Sequence, residues 1–370
     1  MNPRPEEVFA ALDRRFPFAT AYENDNSGWQ VHGERPVERC LVALDASVDA
    51  IMRAIEIQAQ LVVTHHPLYY PHLTAIDPQT LTGAVTKALL TAEIGLIAVH
   101  TCADRQPYGV SGALADAIGL QNKHILAPDE EGVFYKLVTF VPDNGAEDLR
   151  SALAVAGAGE IGNYEECSFA LAGTGSYRPQ GGARPLIGEI GQLEQVNEIR
   201  LEMRVAENRV ERVLAALRRH HPYDEVAFDL YRTYRQGEEL GLGILGDLPE
   251  AVELEALLGR IKEALGGVPL DVTGPENGQI TTVAVAGGST ASCIPIALAR
   301  GAQLFIGGDL TYHIRLDVAE ELVCVDAGHR ATEQPGVRRI ADTLSSAADH
   351  NGWTMEVELF LEDPAPGRIV

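Results

Sequence analysis

Leu61-Val62-Val63-Thr64-His65-His66-Pro67 is an unbroken apolar run that ends in two imidazoles and a proline. A run of this kind reads as a core strand of a parallel sheet, buried on both faces. Adjacent side chains of a strand point to opposite faces, so a strand interior has no use for two histidines in succession. At the carboxyl end the constraint lifts, because ligands of open α/β sheets bind there. Pro67 has no N–H to give a sheet ladder and marks the end of the strand. His65 and His66 are therefore candidate metal ligands. The competing reading is that one histidine closes the strand and the other is solvated.

The same rhythm continues on either side. Cys40 to Asp45 reads as a strand, and Val48, Ile51, Met52 and Ile55 recur at helical spacing. Thr82 to Ala92 reads as a helix, and Ile94 to Val99 as a strand that ends in His100-Thr101-Cys102-Ala103-Asp104. Ser111 to Ile118 is a short helix. In the last third, Thr282–Ala286, Leu304–Ile306 and Leu322–Val325 read as strands. They run into Gly287-Gly288-Ser289, Gly307-Gly308-Asp309 and Asp326-Ala327-Gly328-His329. A long helix follows over Val337 to Ala348, and Met355–Leu359 closes as a strand. Such alternation predicts an α/β fold, with a mostly parallel sheet covered by helices.

The middle of the chain has a different order. Phe134–Val141, Cys167–Ala172, Val196–Val205 and Val226–Tyr234 are strand-like, while Glu147–Ala156 and Val210–Leu217 are helical. A Gly/Pro-rich loop spans 173–191. This β-α-β-β-α-β order is ferredoxin-like. The chain is read as a discontinuous α/β domain, 1–128 and 246–370, with a ferredoxin-like α+β module inserted at 129–245.

Composition narrows the function. The 370 residues include 53 acidic and 29 basic side chains, a formal net charge of -24. That balance argues against a general nucleic-acid-binding surface. No apolar stretch is long enough to cross a bilayer, and the start carries no apolar signal region, so a cytoplasmic protein is expected. The five cysteines are scattered and lack C-x-x-C spacing, which reads as reduced thiols rather than a zinc ribbon or disulfide framework.

Three strand ends supply the residues with chemistry. The first offers His65 and His66, the second His100 and Asp104, the third His329 and Glu333. If these strands share one sheet edge, imidazoles and carboxylates converge on one cleft. That donor set suits zinc, manganese, iron and similar divalent ions. Five ligands exceed the need of one tetrahedral zinc, so two ions are expected. Pro335 fits a first helical turn, which places His329 in a loop and Glu333 at a helix start. Gly287-Gly288-Ser289 could hold an anion through backbone N–H groups or form an ordinary tight turn. His220-His221-Pro222-Tyr223-Asp224-Glu225 reads as a rigid turn.

Several segments resemble the GTP cyclohydrolase I type 2 family, also called Nif-three-like. These are Asp25-Asn26-Ser27-Gly28-Trp29-Gln30-Val31, Thr64-His65-His66-Pro67, His100-Thr101-x-x-Asp104, Gly307-Gly308-Asp309-Leu310-Thr311-Tyr312-His313 and Gly328-His329-x-x-Thr332-Glu333. They occur in order along the whole chain. The middle resembles the PII/CutA-like insert of the longer bacterial members, through Ile161-Gly162-Asn163-Tyr164-Glu165-Glu166-Cys167, Gly173-Thr174-Gly175 and His221-Pro222-Tyr223-Asp224-Glu225. Cys102-Ala103 departs from the Asn-Leu common in the family, at positions that are not ligands.

The resemblance implies a dinuclear site. His66 and Asp104 would hold one ion, His65 and His329 the other, and Glu333 would touch both. His100 and His313 would line the site, moving protons or standing behind the ligands. It also implies a homohexameric toroid and a metal-dependent hydrolase, GTP cyclohydrolase-like, acting on a nucleotide or phosphoester. The alternative is a non-enzymatic metal-binding or regulatory protein that senses a small molecule through the inserted module.

Overall fold

The structure is a computed structural model, and its described residues are 1–70, 73, 75–129, 134–161, 164–233, 240–276 and 278–361. The chain divides into two compact units, Met1–Pro128 with Leu240–Val370, and Asp129–Glu239. The first half of the outer unit contains α1 (Pro5–Arg15), β1 (Gly28–Val31), β2 (Arg39–Ala43), α2 (Val48–Glu56), β3 (Leu61–Thr64), α3 (Leu81–Ala92), β4 (Gly95–Ala98), α4 (Thr101–Asp104), α5 (Val110–Ile118) and β5 (Gln121–Pro128). The inserted unit is built from β6 (Phe134–Pro142), α6 (Ala146–Val155), β7 (Ser168–Tyr177), β8 (Glu194–Ala206), α7 (Val210–His220) and β9 (Phe228–Arg232). The outer unit resumes with β10 (Gly241–Glu253), α8 (Leu254–Ala264), β11 (Asp271–Thr273), β12 (Gln279–Ser289), α9 (Ile294–Ala299), β13 (Leu304–Gly308), α10 (Tyr312–Asp317), β14 (Val323–Asp326), α11 (His329–Asn351) and β15 (Glu356–Phe360).

The outer unit holds two sheets, where the sequence suggested one. In the first, ordered β1-β4-β3-β2-β15, the last four strands are parallel and β1 is an antiparallel edge. All four residues of β3 are buried, with Val63 paired to Val42 on one side and Ile97 on the other. The second sheet is ordered β11-β14-β13-β12-β10-β5. Only β12, β13 and β14 are parallel there; β11, β10 and β5 run antiparallel to their neighbours. The long strands β5 and β10 carry Pro128, Gly241, Gly243, Gly246 and Pro249, residues that weaken a strand pattern.

Helix α11 joins the two sheets. Val337, Ile340 and Leu344 pack with Val42, Val63 and Ile97 of the first sheet. Ala331, one turn from its start, packs with Val285, Ile306 and Val325 of the second. The outer face of the first sheet is covered by α2 and α3 through Ala50, Ile51, Ala54, Val85 and Leu89. Caps set where these helices begin: Ser47 Oγ accepts from the Ala50 N–H and Thr80 Oγ1 from the Gly83 N–H. Of the four apolar positions that mark α2, only Ile51 is buried; Val48, Met52 and Ile55 are exposed.

The inserted unit is a four-stranded antiparallel sheet ordered β7-β8-β6-β9. Leu149 and Leu153 of α6 and Val213 and Leu217 of α7 pack on Leu137, Val141, Leu201 and Met203 of the sheet. This is the ferredoxin-like order. Strand β7 extends to Tyr177, so the Gly/Pro-rich loop is shorter than expected. The return to the outer unit comes at Leu240 rather than 246, because β10 belongs to the second sheet. Gly162, Asn163 and Tyr234, within two expected segments, lie outside the described residues. Among the described residues no helix is long and apolar enough to cross a membrane.

Candidate metal centre

The two sheets deliver their side chains to one cleft, the histidine pair from one and His329 from the other. Beyond β3 the backbone still pairs with its neighbour: the His65 N–H donates to the Ala43 carbonyl and the His66 N–H to the Leu44 carbonyl. Thr64 Oγ1 donates to the His66 carbonyl at 2.7 Å, which ties the bend. The alternation of an extended strand is lost there, so both rings enter one cluster with centroids 4.9 Å apart. His100, past the end of β4, lies 5.3 Å from His65 and 5.6 Å from His66 by ring centroid. His329 lies 5.4 Å from His66.

Pro335 does not exclude a helix before it. Helix α11 starts at His329 with Gly328 as its N-cap, and Pro335 lies inside. The helix forgoes the bond that residue 335 would give the Ala331 carbonyl. His329 and Glu333 thus share a helix face, with His329 Nε2 3.1 Å from Glu333 Oε1. Glu333 also reaches His66 Nε2 (3.1 Å) and His65 Nε2 (3.6 Å), and Asp104 Oδ1 lies 3.6 Å from His65 Nε2. His65 and His329 both approach Glu333 Oε1, and His66 approaches Oε2.

Each of the four rings has its Nδ1 occupied. The His65 Nδ1–H donates to the Val99 carbonyl at 2.8 Å. His66 donates to Asp45 at 2.8 Å, His100 to Asp25 at 2.6 Å and His329 to Asp309 at 2.6 Å. A ring held this way presents the Nε2 lone pair inward, the arrangement found behind metal-binding histidines. His65 Nε2 and Glu333 Oε2 are buried and have no hydrogen-bond partner among the described residues. Asp25 is itself buried, and the Ser27 and Thr101 hydroxyls donate to it as well. Its burial opposes ionisation, but His100 and the two hydroxyls hold its carboxyl well below the usual range.

The electrostatics show a surplus of negative charge. Burial opposes protonation of His66, yet Asp45 and Glu333 push it up to about 10. Glu333, with Asp309, pushes His329 up to about 9 against its burial. Burial also works against His65, and Asp104 and Glu333 outweigh it. Glu333 is held well below its ordinary value, since His329 and His65 more than offset burial. Asp104 goes the other way: burial raises it more than His65 lowers it. Gly288 makes room for the carboxylate. A Cβ there would sit 2.3 Å from Glu333 Oε1, and its φ of +73° is itself disfavoured for other residues.

A family model described as Duf34/NIF3 (NGG1p interacting factor 3) matches residues 3–366. The chain belongs to the Duf34/NIF3 family. This NIF3-family chain is 38% identical over 343 residues to the GTP cyclohydrolase 1 type 2 homolog of Halalkalibacterium halodurans, with 92% of each covered. It is 34% identical over 338 residues to that of Bacillus subtilis, covering 90% of this chain and 91% of the relative. The solved structure of the Bacillus cereus protein related to NIF3 matches over 100% of both chains, with a TM-score of 0.69 and 33% identity.

In this NIF3-family chain two groups of ligand-type atoms, His65/His66/His100 and His66/His329/Glu333, each fall within 4.8 Å and share His66. That geometry, with the orphaned Nε2 of His65, is consistent with a metal site. His100 offers a ring nitrogen within 4.8 Å of those of His65 and His66. Asp104 lines the cleft beside His65. His313 is exposed on α10 and does not line the cleft. The Gly287 and Gly288 N–H groups donate to Ser111 Oγ and Thr332 Oγ1, so they are not free for an anion. Sequence reasoning missed the supporting acids Asp45 and Asp309. Both follow strand ends, which was the available signal.

Proposed function

We propose that this chain holds two divalent ions on His65, His66, Asp104, His329 and Glu333, with Glu333 shared, and works as a metal-dependent hydrolase. The observation that carries the reading is His65. Its ring is fully buried, its Nδ1–H is spent on Val99, and its Nε2 faces two carboxylates with no donor between them. Lone pairs set against one another in a buried site call for a cation. Glu333 within reach of three imidazoles, and two groups that share His66, favour two ions over one. Zinc, manganese and iron suit this nitrogen and oxygen donor set.

Bound here, such ions supply Lewis acidity to a carbonyl or phosphoryl oxygen and lower the pKa of water. The chain's own residues do the rest. Asp45, Asp309 and the Val99 carbonyl orient the rings. His100, backed by the buried carboxylate of Asp25, presents Nε2 to the cleft and is placed to hold or move a proton. The cleft has a volume of about 620 Å³, and Tyr22 and Tyr70 line it, which suits a small molecule with a planar ring. A nucleotide or phosphoester is the substrate class proposed, in line with relatives named GTP cyclohydrolase 1 type 2 homolog.

The working form proposed is a cytoplasmic homohexamer. All five cysteines are free, and four of them are buried, as suits a reducing compartment. The test is turnover by purified protein on a panel of nucleotides and phosphoesters, with elemental analysis of the same sample. Chelation should abolish activity, divalent metal should restore it, and His66→Ala should lose both metal and activity. Full activity of metal-free His66→Ala would end the proposal. A second reading, a regulatory metal-binding protein without turnover, is favoured by a cavity in the inserted unit.

A further inference from the structure

The inserted unit contains a cavity of about 470 Å³, within the range of about 300–1,000 Å³ typical of small-molecule sites. Its walls carry the rings of Phe140, Tyr177 and Tyr223 and the carboxylates of Glu198, Asp224 and Glu225. Gly175 of β7 and Tyr223, Asp224 and Glu225 of the turn after α7 come together there. We propose that this cavity binds a small organic cation, an ammonium or guanidinium head on an apolar body.

The walls are held in place. The Tyr223 hydroxyl donates to Glu198 Oε1 at 2.8 Å, and the Tyr223 N–H donates to His221 Nδ1 at 3.1 Å. His221 is anchored in turn, its Nε2–H donating to the Phe140 carbonyl at 3.0 Å. The Tyr177 hydroxyl donates to the Ile187 carbonyl at 2.8 Å, and Asp224 Oδ2 accepts the Arg184 N–H at 2.8 Å. A Cβ at position 175 would stand 1.9 Å from Glu198 Oε2, so glycine there leaves the carboxylate its space. Burial, reinforced by Glu198, pushes the Tyr223 hydroxyl up, which keeps it a donor to that carboxylate.

Charge selects the ligand class. Three carboxylates line the cavity against one cationic side chain, Arg178, whose Nη1 already donates to the Gly191 carbonyl at 2.8 Å. An anionic ligand would meet repulsion from three sides. A bare metal ion fits poorly too. Among the described residues, the only groups of three ligand-type atoms close enough for one ion are those at the histidine cluster. Aromatic faces attract an organic cation, and the carboxylates complete its neutralisation.

The test is calorimetric titration of the full-length protein with phenethylammonium and agmatine. 2-Phenylethanol and 3-phenylpropionate serve as the uncharged and anionic counterparts. Phenethylammonium is expected to bind with a Kd below about 1 mM, at least about tenfold tighter than 2-phenylethanol. Glu198→Gln should weaken it about tenfold while the metal content stays unchanged. Should Glu198→Gln fail to fold, the double variant Asp224→Asn/Glu225→Gln, on exposed positions, should show the same loss. The proposal is overturned if neither cation binds saturably at about 10 mM. It is also overturned if the alcohol binds as tightly as the ammonium, or if neither folded variant loses affinity.

Discussion

His65 Nε2 lies 3.6 Å from Glu333 Oε1, a fully buried imidazole against a carboxylate whose side chain is 5% exposed. The ring comes from the end of β3 in the first sheet. The carboxylate comes from the first turns of α11, which follows β14 of the second sheet. The His65 donor is already spent on Val99, which leaves its Nε2 unpartnered, and Glu333 Oε1 lies 3.1 Å from His329 Nε2 on its own helix. The contact between the sheets is therefore also an electrostatic demand for a cation, met by protons when no metal is bound.

Glu333→Gln tests that demand directly. The amide keeps the volume but removes the charge three imidazoles share. Bound metal should fall from two ions per chain to one or none, and affinity should drop by about 100-fold or more. Elemental analysis after dialysis reads the first, and competition with a chelator the second. Two ions retained would exclude Glu333 as their common ligand.

Asp45→Asn and Asp309→Asn leave every proposed ligand in place and alter only what accepts the Nδ1–H of His66 or His329. An amide can turn its NH₂ toward the ring and select the wrong tautomer. Each substitution should weaken metal binding about 10- to 100-fold with little change in melting temperature. The same competition assay checks it. Unchanged affinity in both would show that the rings need no outer support.

Raising the pH should destabilise the metal-free protein more than the metal-bound one. His66 at about 10 and His329 at about 9 stand above their ordinary 6.5. A raised folded-state pKa gives stability that is fully present below about pH 6.5 and is lost as pH rises through the folded values. The metal-free protein should therefore melt progressively lower from about pH 7 to about pH 10. Metal must displace those protons, so its affinity should rise over the same window. Thermal melts at several pH values, with and without zinc, should show the gap widening as pH rises. A gap that narrows would contradict the assigned ligands.

Much of the site could be read in the sequence because strand ends are explicit there. An apolar run that stops at His65-His66, and another that stops at His100, needs no structure to be noticed. What stayed hidden depends on distant packing. Strands β5 and β10 contain glycines and prolines, and they form because each satisfies the other's backbone. Without them the second sheet is invisible, and three strand ends look like one edge. The start of α11 was masked by Pro335, whose local penalty is outweighed by packing along the rest of the helix. Asp45 and Asp309 are single acids after strands, a common pattern, and only the facing imidazoles distinguish them.

Two substitutions on α11 should separate stability from metal binding. Gly336 faces α5, and a Cβ there would stand 2.8 Å from Val110 Cγ2 and 2.9 Å from Val110 Cα. Alanine gains about 1 kcal/mol in helix propensity, but the crowding costs about 1–3 kcal/mol. Backbone is among the obstructing atoms, so a rotamer change of Val110 cannot relieve it. Gly336→Ala should lower the melting temperature modestly and shift the helix start. His329 and Glu333 would move against a histidine pair fixed to the other sheet, so metal affinity should fall. Leu344→Ala, farther along the helix in the first-sheet core, should cost about 2–5 kcal/mol. It lies beyond the segment that carries the ligands, so affinity should be preserved at temperatures where the protein stays folded. Denaturant melts paired with metal titrations compare the two. Equal loss of affinity in both would mean that metal binding merely reports global stability, and that the position of α11 is not what sets the site.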